Sequence, residues 1–159
     1  MIVEISHFLA LLATGLFLLV SCFSLIRSGD MYISNLISRT YSHAFFFLLG
    51  SFLIYVWLAI TDNFSVAYIA SHSNTDLPVF YKISSIWSAH EGSMFLWILF
   101  LALWGYLFNA RVDNEEVLKP MSVGIISLIL VGFLCFLLIT SNPFETILPF
   151  APSNGADIN

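Results

Sequence analysis

Four blocks of this chain, at residues 5–26, 40–60, 93–110 and 121–140, contain no Asp, Glu, Lys or Arg. Each reaches the length of about 17–25 residues that a hydrocarbon core demands of a helix. Few folds are compatible with that pattern. Backbone amides and carbonyls in hydrocarbon have no water to bond, so a single crossing segment must satisfy them internally, as a helix does. The first block carries roughly a dozen Leu, Ile, Val and Phe residues, each favouring insertion by about 0.3–0.6 kcal/mol at mid-membrane, which outweighs its few Ser and Thr. The chain is 59% hydrophobic and 9% charged, against about 45–50% and about 25% in soluble domains. The expected fold class is therefore all-α: a polytopic membrane protein with four transmembrane helices, forming one membrane domain over residues 1–159.

The ends of the blocks carry matching signals. Pro120 stands where a first helical turn tolerates a missing N–H, and Asn142-Pro143 follows the fourth block as a stop. The N-terminal block has Glu4 but no Lys or Arg before it, exceeds the core of about 7–15 residues found in signal peptides, and is not followed by a small-residue cleavage pattern, so it is expected to be retained.

Arg27, Arg39, Arg111 and Lys119 fall in the first and third connections, and Lys82 alone lies opposite. By the positive-inside rule those two connections are cytoplasmic. The N-terminus, the connection 61–92 and the tail 141–159 are then expected on the outer side, facing the periplasm of a bacterium or, in an organelle, the mitochondrial intermembrane space. Asp113, Glu115 and Glu116 share the third connection but count little in this rule. The formal charge of −5 is spread over loops rather than gathered in a run, which argues against nucleic acid as a partner.

Within the first block, Ala10, Ala13, Thr14, Ser21 and Ser24 recur at three- and four-residue steps with Phe17 among them, the pattern of a close helix contact. Cys22 and Cys135 share no metal-type or redox-type spacing and are read as packing residues, and no C-x-x-C-H for attached haem is present.

The connection 61–92 is long for a structureless link and is expected to have structure or function of its own. Its first part, DNFSVAYIASHSNTD, alternates polar and apolar residues and reads as an exposed extended segment. After Pro78, Val79, Phe80, Ile83, Ile86 and Trp87 recur at helical spacing, with Lys82, Ser84, Ser85 and Ser88 off that face. This predicts a short amphipathic helix in the membrane interface, anchored by Trp87, whose stripe serves membrane adhesion more readily than cofactor contact.

His90, Glu91, Gly92 and Ser93 follow, where the chain turns into the third span. A zinc-protease helix would need a second His at the position of Met94, so this pair is no such site, and no metal site or catalytic residue is assigned. Glu91 at the start of a helix suits the positive end of the dipole. His90, three residues after Trp87, can face the same surface, so a capping and positioning role is favoured over catalysis, with Trp87 and His90 the weak candidates for cofactor contact. His43 lies near the cytoplasmic end of the second span, His7 and His72 read as surface or interface residues, and Asn63-Phe64-Ser65 matches the common glycosylation pattern.

The run SNTDLPVFYKISSIWSAHEGSMFLW at residues 73–97, followed by a span and then by TSNPFETILPF and GADIN, resembles the outer-loop segment and its continuation in the CcmF family of cytochrome c biogenesis proteins. W-x-x-H-E-G-S at residues 87–93 followed by T-S-N-P-F is a specific combination, and the likeness covers the whole chain in order, as the N-terminal portion of such a protein. The resemblance implies part of a membrane haem lyase, in the bacterial inner membrane or the mitochondrial inner membrane. That machinery takes haem from the chaperone CcmE and, with CcmH-type partners holding apocytochrome c, joins the two on the outer face. The resemblance also implies that haem-handling motifs lie in the remaining portion of the CcmF-type protein, beyond Asn159. This chain is then a scaffold and outer-face lining, with no haem tightly bound to it alone. A transporter module would place charged groups at mid-membrane depth, where these spans offer Ser, Thr and His43. A structural subunit of a respiratory complex fits the composition but leaves the HEGS segment unexplained.

Overall fold

A computed structural model of the chain describes residues 1–27, 31–112, 118–147 and 151–155. Asp113, Glu115 and Glu116, the side chain of Arg27, and parts of the ILPF and GADIN runs lie outside the described residues. The apolar blocks become four long helices, each long and apolar enough to cross a membrane. They are α1 (Ile2–Arg27), α2 (Met31–Ile60), α5 (His90–Arg111) and α6 (Leu118–Thr140), with two short helices, α3 (Ala67–His72) and α4 (Val79–Ser85), between α2 and α5. Among the described residues no strand forms; Val66 and Thr146 make one isolated antiparallel bridge.

The long helices run alternately up and down. The start of α1 meets the end of α2, where the Ser6 hydroxyl donates to the Ser51 carbonyl at 2.8 Å and the Ser51 hydroxyl to the Ser6 carbonyl at 2.7 Å. At mid-length Phe17 packs edge-on against Tyr41. The end of α1 meets the start of α6, where the Ser24 hydroxyl donates to the Pro120 carbonyl. These reciprocal bonds allow hydroxyls inside an apolar bundle, since each satisfies a group that lipid would leave unpaired. The face of α1 expected to make close contact does so: Ala10, Ala13, Phe17, Ser21 and Ser24 are buried, and Thr14, half-buried, donates back to the Ala10 carbonyl at 2.8 Å.

α5 closes against α2 through Phe52 and Tyr55 with Phe95 near one end, and through Ser38 with Asn109 near the other. Asn109 returns the contact by donating to the Ser38 carbonyl at 2.9 Å. Gly105 has no room for a Cβ because the Tyr41 hydroxyl lies against it, and that hydroxyl donates to the Ala102 carbonyl at 3.1 Å.

Three expectations are corrected. α2 begins at Met31 rather than near residue 40, so Arg39 stands on a helix and not in a connection; at about 1.5 Å per residue α2 is longer than hydrocarbon requires, leaving its first turns for the interface. His43, exposed on that helix, is within 2.7 Å of the Arg39 carbonyl through Nδ1. Cys22 and Cys135 are free and exposed on the outside of the bundle rather than packed within it, because their helices turn smaller or branched neighbours such as Ser21, Val20 and Leu134 inward. The segment after α2 is not an exposed extended strand: Phe64, Val66, Tyr68, Ile69 and Ala70 are buried in a compact turn and helix, with His72, Thr75 and Asp76 exposed at its far end.

Candidate functional site: the cap over the third span

The cap begins where α2 stops. Asp62 adopts a left-handed backbone (φ 54°), its N–H bonds the Ala59 carbonyl at 3.4 Å, and the Asn63 N–H bonds the Leu58 carbonyl at 3.0 Å. That is a Schellman termination with an aspartate in the position usually taken by glycine, a conformation Asp tolerates better than most residues. The aspartate also has a use glycine could not serve. Its carboxylate pairs with the Lys82 ammonium from α4, and the two side chains retain 25% and 8% of their accessible surface. Lys82 was expected off the apolar face of α4. It is instead the residue of α4 turned inward, with Ile86 just beyond the helix, whereas Val79, Phe80 and Trp87 stay exposed. A charge at this point is bearable in the interior only because its partner comes from the end of α2.

Tyr68 of α3 organises the turn into α5. Its hydroxyl donates to the Ile86 carbonyl at 2.8 Å, with the Ser85 carbonyl at 3.1 Å, and accepts the Ala89 N–H at 3.2 Å. Burial raises its ionisation above the ordinary tyrosine range, reinforced by the nearby Glu91 charge and opposed by the Ala89 and Ser88 hydrogen bonds. The phenol therefore remains a donor at neutral pH. Gly92 fits under the same turn, and a Cβ there would overlap the Ile86 carbonyl.

The motif residues occupy this turn. Trp87 is exposed outside the helix, and His90 is the first residue of α5. The His90 ring meets Phe136 of α6 edge-on, with centroids 6.2 Å apart. Glu91 lies in the first turn of α5, half-buried, and Ser93 donates back to the His90 carbonyl at 3.0 Å. Ala89 is the N-cap, without a side-chain hydrogen bond. Glu91 thus complements the dipole through charge. Below His90 a cleft of about 460 Å³ opens between α5 and α6, lined by Met94, Ile129, Gly132, Phe133 and Phe136.

The segment after α6 completes the cap. The Ala67 N–H bonds the Glu145 carbonyl and the Ile147 N–H bonds the Ser65 carbonyl, both at 2.8 Å. Phe144 is buried among Tyr55, Phe95 and His7, with centroids at 5.8, 5.8 and 5.2 Å. His7 is therefore an aromatic contact of the cap, while exposed His72 stacks on Tyr68 at 4.5 Å. Sequence reasoning missed Asp62, Tyr68 and Phe144 as organisers. Only Phe144 carried a signal, as part of the TSNPF string. Among the described residues, no group of three or more His, Cys, Asp and Glu side chains is placed to hold a metal.

These features define a class: a multi-pass, all-helical membrane protein with a folded cap at one end of its four-helix bundle. No protein-family model matches the chain. It is 39% identical over 164 residues to the cytochrome c-type biogenesis protein CcmF of Pseudomonas aeruginosa, and 39% identical over 166 residues to that of Escherichia coli. It is also 38% identical over 167 residues to the cytochrome c-type biogenesis protein NrfE of Haemophilus influenzae. Each alignment covers 100% of this chain and 25% of the relative. A solved structure of the cytochrome c heme lyase CcmF superimposes with a TM-score of 0.82 at 26% identity, over 94% of this chain and 26% of that one. The chain is thus similar in sequence and in fold to CcmF-type cytochrome c-type biogenesis proteins and spans about a quarter of the length of the relatives it matches.

Proposed function

We propose that this chain is the part of a membrane haem lyase that builds the outer-face ledge beside the haem-handling portion, in the transfer of haem from the chaperone CcmE to apocytochrome c held by a CcmH-type partner. The observation that carries this reading is the match to CcmF-type proteins in sequence and in fold along nearly the whole chain. The cap's construction supports a positioning role. Its polar groups are spent on backbone carbonyls, on a carboxylate–ammonium pair and on a helix start, which fixes Trp87 and His90 on a stiff turn.

The cap faces the outer compartment of the inner membrane, periplasmic or intermembrane. Arg39, Arg111 and Lys119 gather at the opposite end of the bundle, whereas Lys82 at the cap end is neutralised by Asp62. α4 lies in the interface, with Val79, Phe80 and Tyr81, all exposed, toward lipid and Trp87 as its anchor.

The test is haem absorption. Purified alone in detergent, the chain is expected to show no stoichiometric haem band; co-expressed with the remaining portion of a CcmF-type protein, it co-purifies with a haem-loaded complex. Tight haem binding by the isolated chain would overturn this division of labour.

A further inference from the structure

α5 turns one face inward through Phe95, Ala102, Gly105 and Asn109, and presents Trp97, Phe100 and Trp104 on the other. The two tryptophans are the most exposed large hydrophobic side chains of the helix, at 72% and 69%. Their depth is the telling feature. At about 1.5 Å per residue, Trp97 lies about 10 Å and Trp104 about 21 Å along a helix of about 33 Å, so both indoles stand within the hydrocarbon thickness of about 30 Å. His90 and Glu91 at one end and Arg111 at the other hold that register.

Tryptophan favours the membrane interface, where its ring is buried and its N–H is wet. The other two tryptophans obey this: Trp57 is in the last turn of α2, and Trp87 is in the cap. Trp97 and Trp104 do not, and neither indole nitrogen has a partner among the described residues. An N–H facing acyl chains is left unbonded, a cost that a lipid-facing Leu or Phe would avoid. The exposed face of α1, by contrast, carries Phe8, Leu18, Leu19 and Phe23 and no indole. Beside Trp97 the surface is also indented: a cleft of about 320 Å³ is lined by Met94, Trp97, Ile98, Leu101 and Phe133.

We infer that the Trp97–Trp104 stripe and the adjoining α5–α6 cleft are the intramembrane seam of this chain. Its occupant is a transmembrane helix from the remaining three quarters of the CcmF-type protein, presenting hydrogen-bond acceptors at the two indole depths. The inference rests on the proposed function. It adds which face is used and what chemistry the opposing helix must offer. Relatives four times as long must pack further chain against this bundle, and hydrocarbon cannot satisfy this face.

The chain is co-expressed with that remaining portion and carries p-benzoylphenylalanine at position 97 or 104, or at 8 or 23 on α1 as controls. Photolysis is expected to join positions 97 and 104 to the remaining portion, and 8 and 23 to lipid. A paired variant, Trp97→Leu with Trp104→Leu, is expected to leave the unfolding of the isolated chain in detergent unchanged while lowering co-purification by about tenfold or more. If the unaltered chain fails to co-purify, the functional reading falls and this seam with it. If it co-purifies but the cross-links from 97 and 104 go to lipid or to a second copy of this chain, or the paired variant co-purifies as well as the unaltered chain, the seam alone is wrong.

Discussion

Tyr68 satisfies an amide and a carbonyl with one hydroxyl, so its removal leaves buried backbone groups unbonded. Tyr68→Phe is expected to destabilise the cap by about 1–3 kcal/mol, seen as faster proteolysis between α2 and α5 while the spans stay helical. The linkage has a definite sign. The folded phenol ionises above the unfolded value of about 10. Its contribution is therefore complete below pH 10 and is lost as pH rises through the raised folded value. An alkaline absorbance titration in detergent should show one late-ionising tyrosine fewer in Tyr68→Phe than in the unaltered chain. Gly92 is constrained by space: a methyl group there meets the Ile86 carbonyl, a backbone atom that cannot swing aside. Gly92→Ala is expected to cost about 2 kcal/mol or more, measured as a fall in thermal midpoint in detergent. Neither role is written in the residue's sequence neighbourhood, since Tyr68 and Ile86 meet across a turn and no periodicity announces the meeting. The HEGS string was visible as a motif, yet its glycine's reason, the carbonyl beneath it, is a fact of three dimensions.

At the scale of elements, the long helices were legible because a membrane asks one thing of sequence, an uninterrupted apolar length, and α1, α2, α5 and α6 each supply it. Their ends were less legible. α2 runs back to Met31 because Ile33 and Ile37 are buried while Tyr32, Leu36 and Arg39 face outward, an amphipathic start that a search for apolar blocks reads as a connection. The cap was misread for a related reason. Alternating polar and apolar residues suit an extended strand, but the segment at 61–76 is packed from several directions, by Tyr55, by α4 and by the turn around Phe144, and that tertiary contact selects a short helix. The Asp62–Lys82 pair ties α2 to α4, and its two halves are unequal because Lys82 is the more deeply buried. Asp62→Asn, which strands the ammonium, is expected to be more destabilising than Lys82→Met, each by roughly 2–4 kcal/mol, and the double change less than the sum of the two. Equal and additive costs in a thermal-shift series would show that the pair is solvated and contributes little.

The whole molecule is a bundle with two chemically distinct ends. The cap end joins the α2–α5 connection to the segment after α6 by backbone pairing, while Ser38 and Asn109 bind α2 to α5 toward the other end. Such a body can hold Trp87 and His90 at a fixed place on the cap end of the bundle. That suits a chain whose relatives extend over roughly four times its length. Family and fold class were legible in sequence. How the outward faces divide between lipid and protein was not, because apolar composition alone does not separate a lipid contact from a protein contact. A role in haem transfer at the outer face requires the cap to stand in the outer compartment. Ser88→Cys, next to Trp87 and exposed, can be introduced with Cys22 and Cys135 changed to Ser and treated with a membrane-impermeant maleimide in intact bacterial spheroplasts. Labelling before lysis is the predicted result; labelling only after the membrane is opened would place the cap in the cytoplasm and contradict the account.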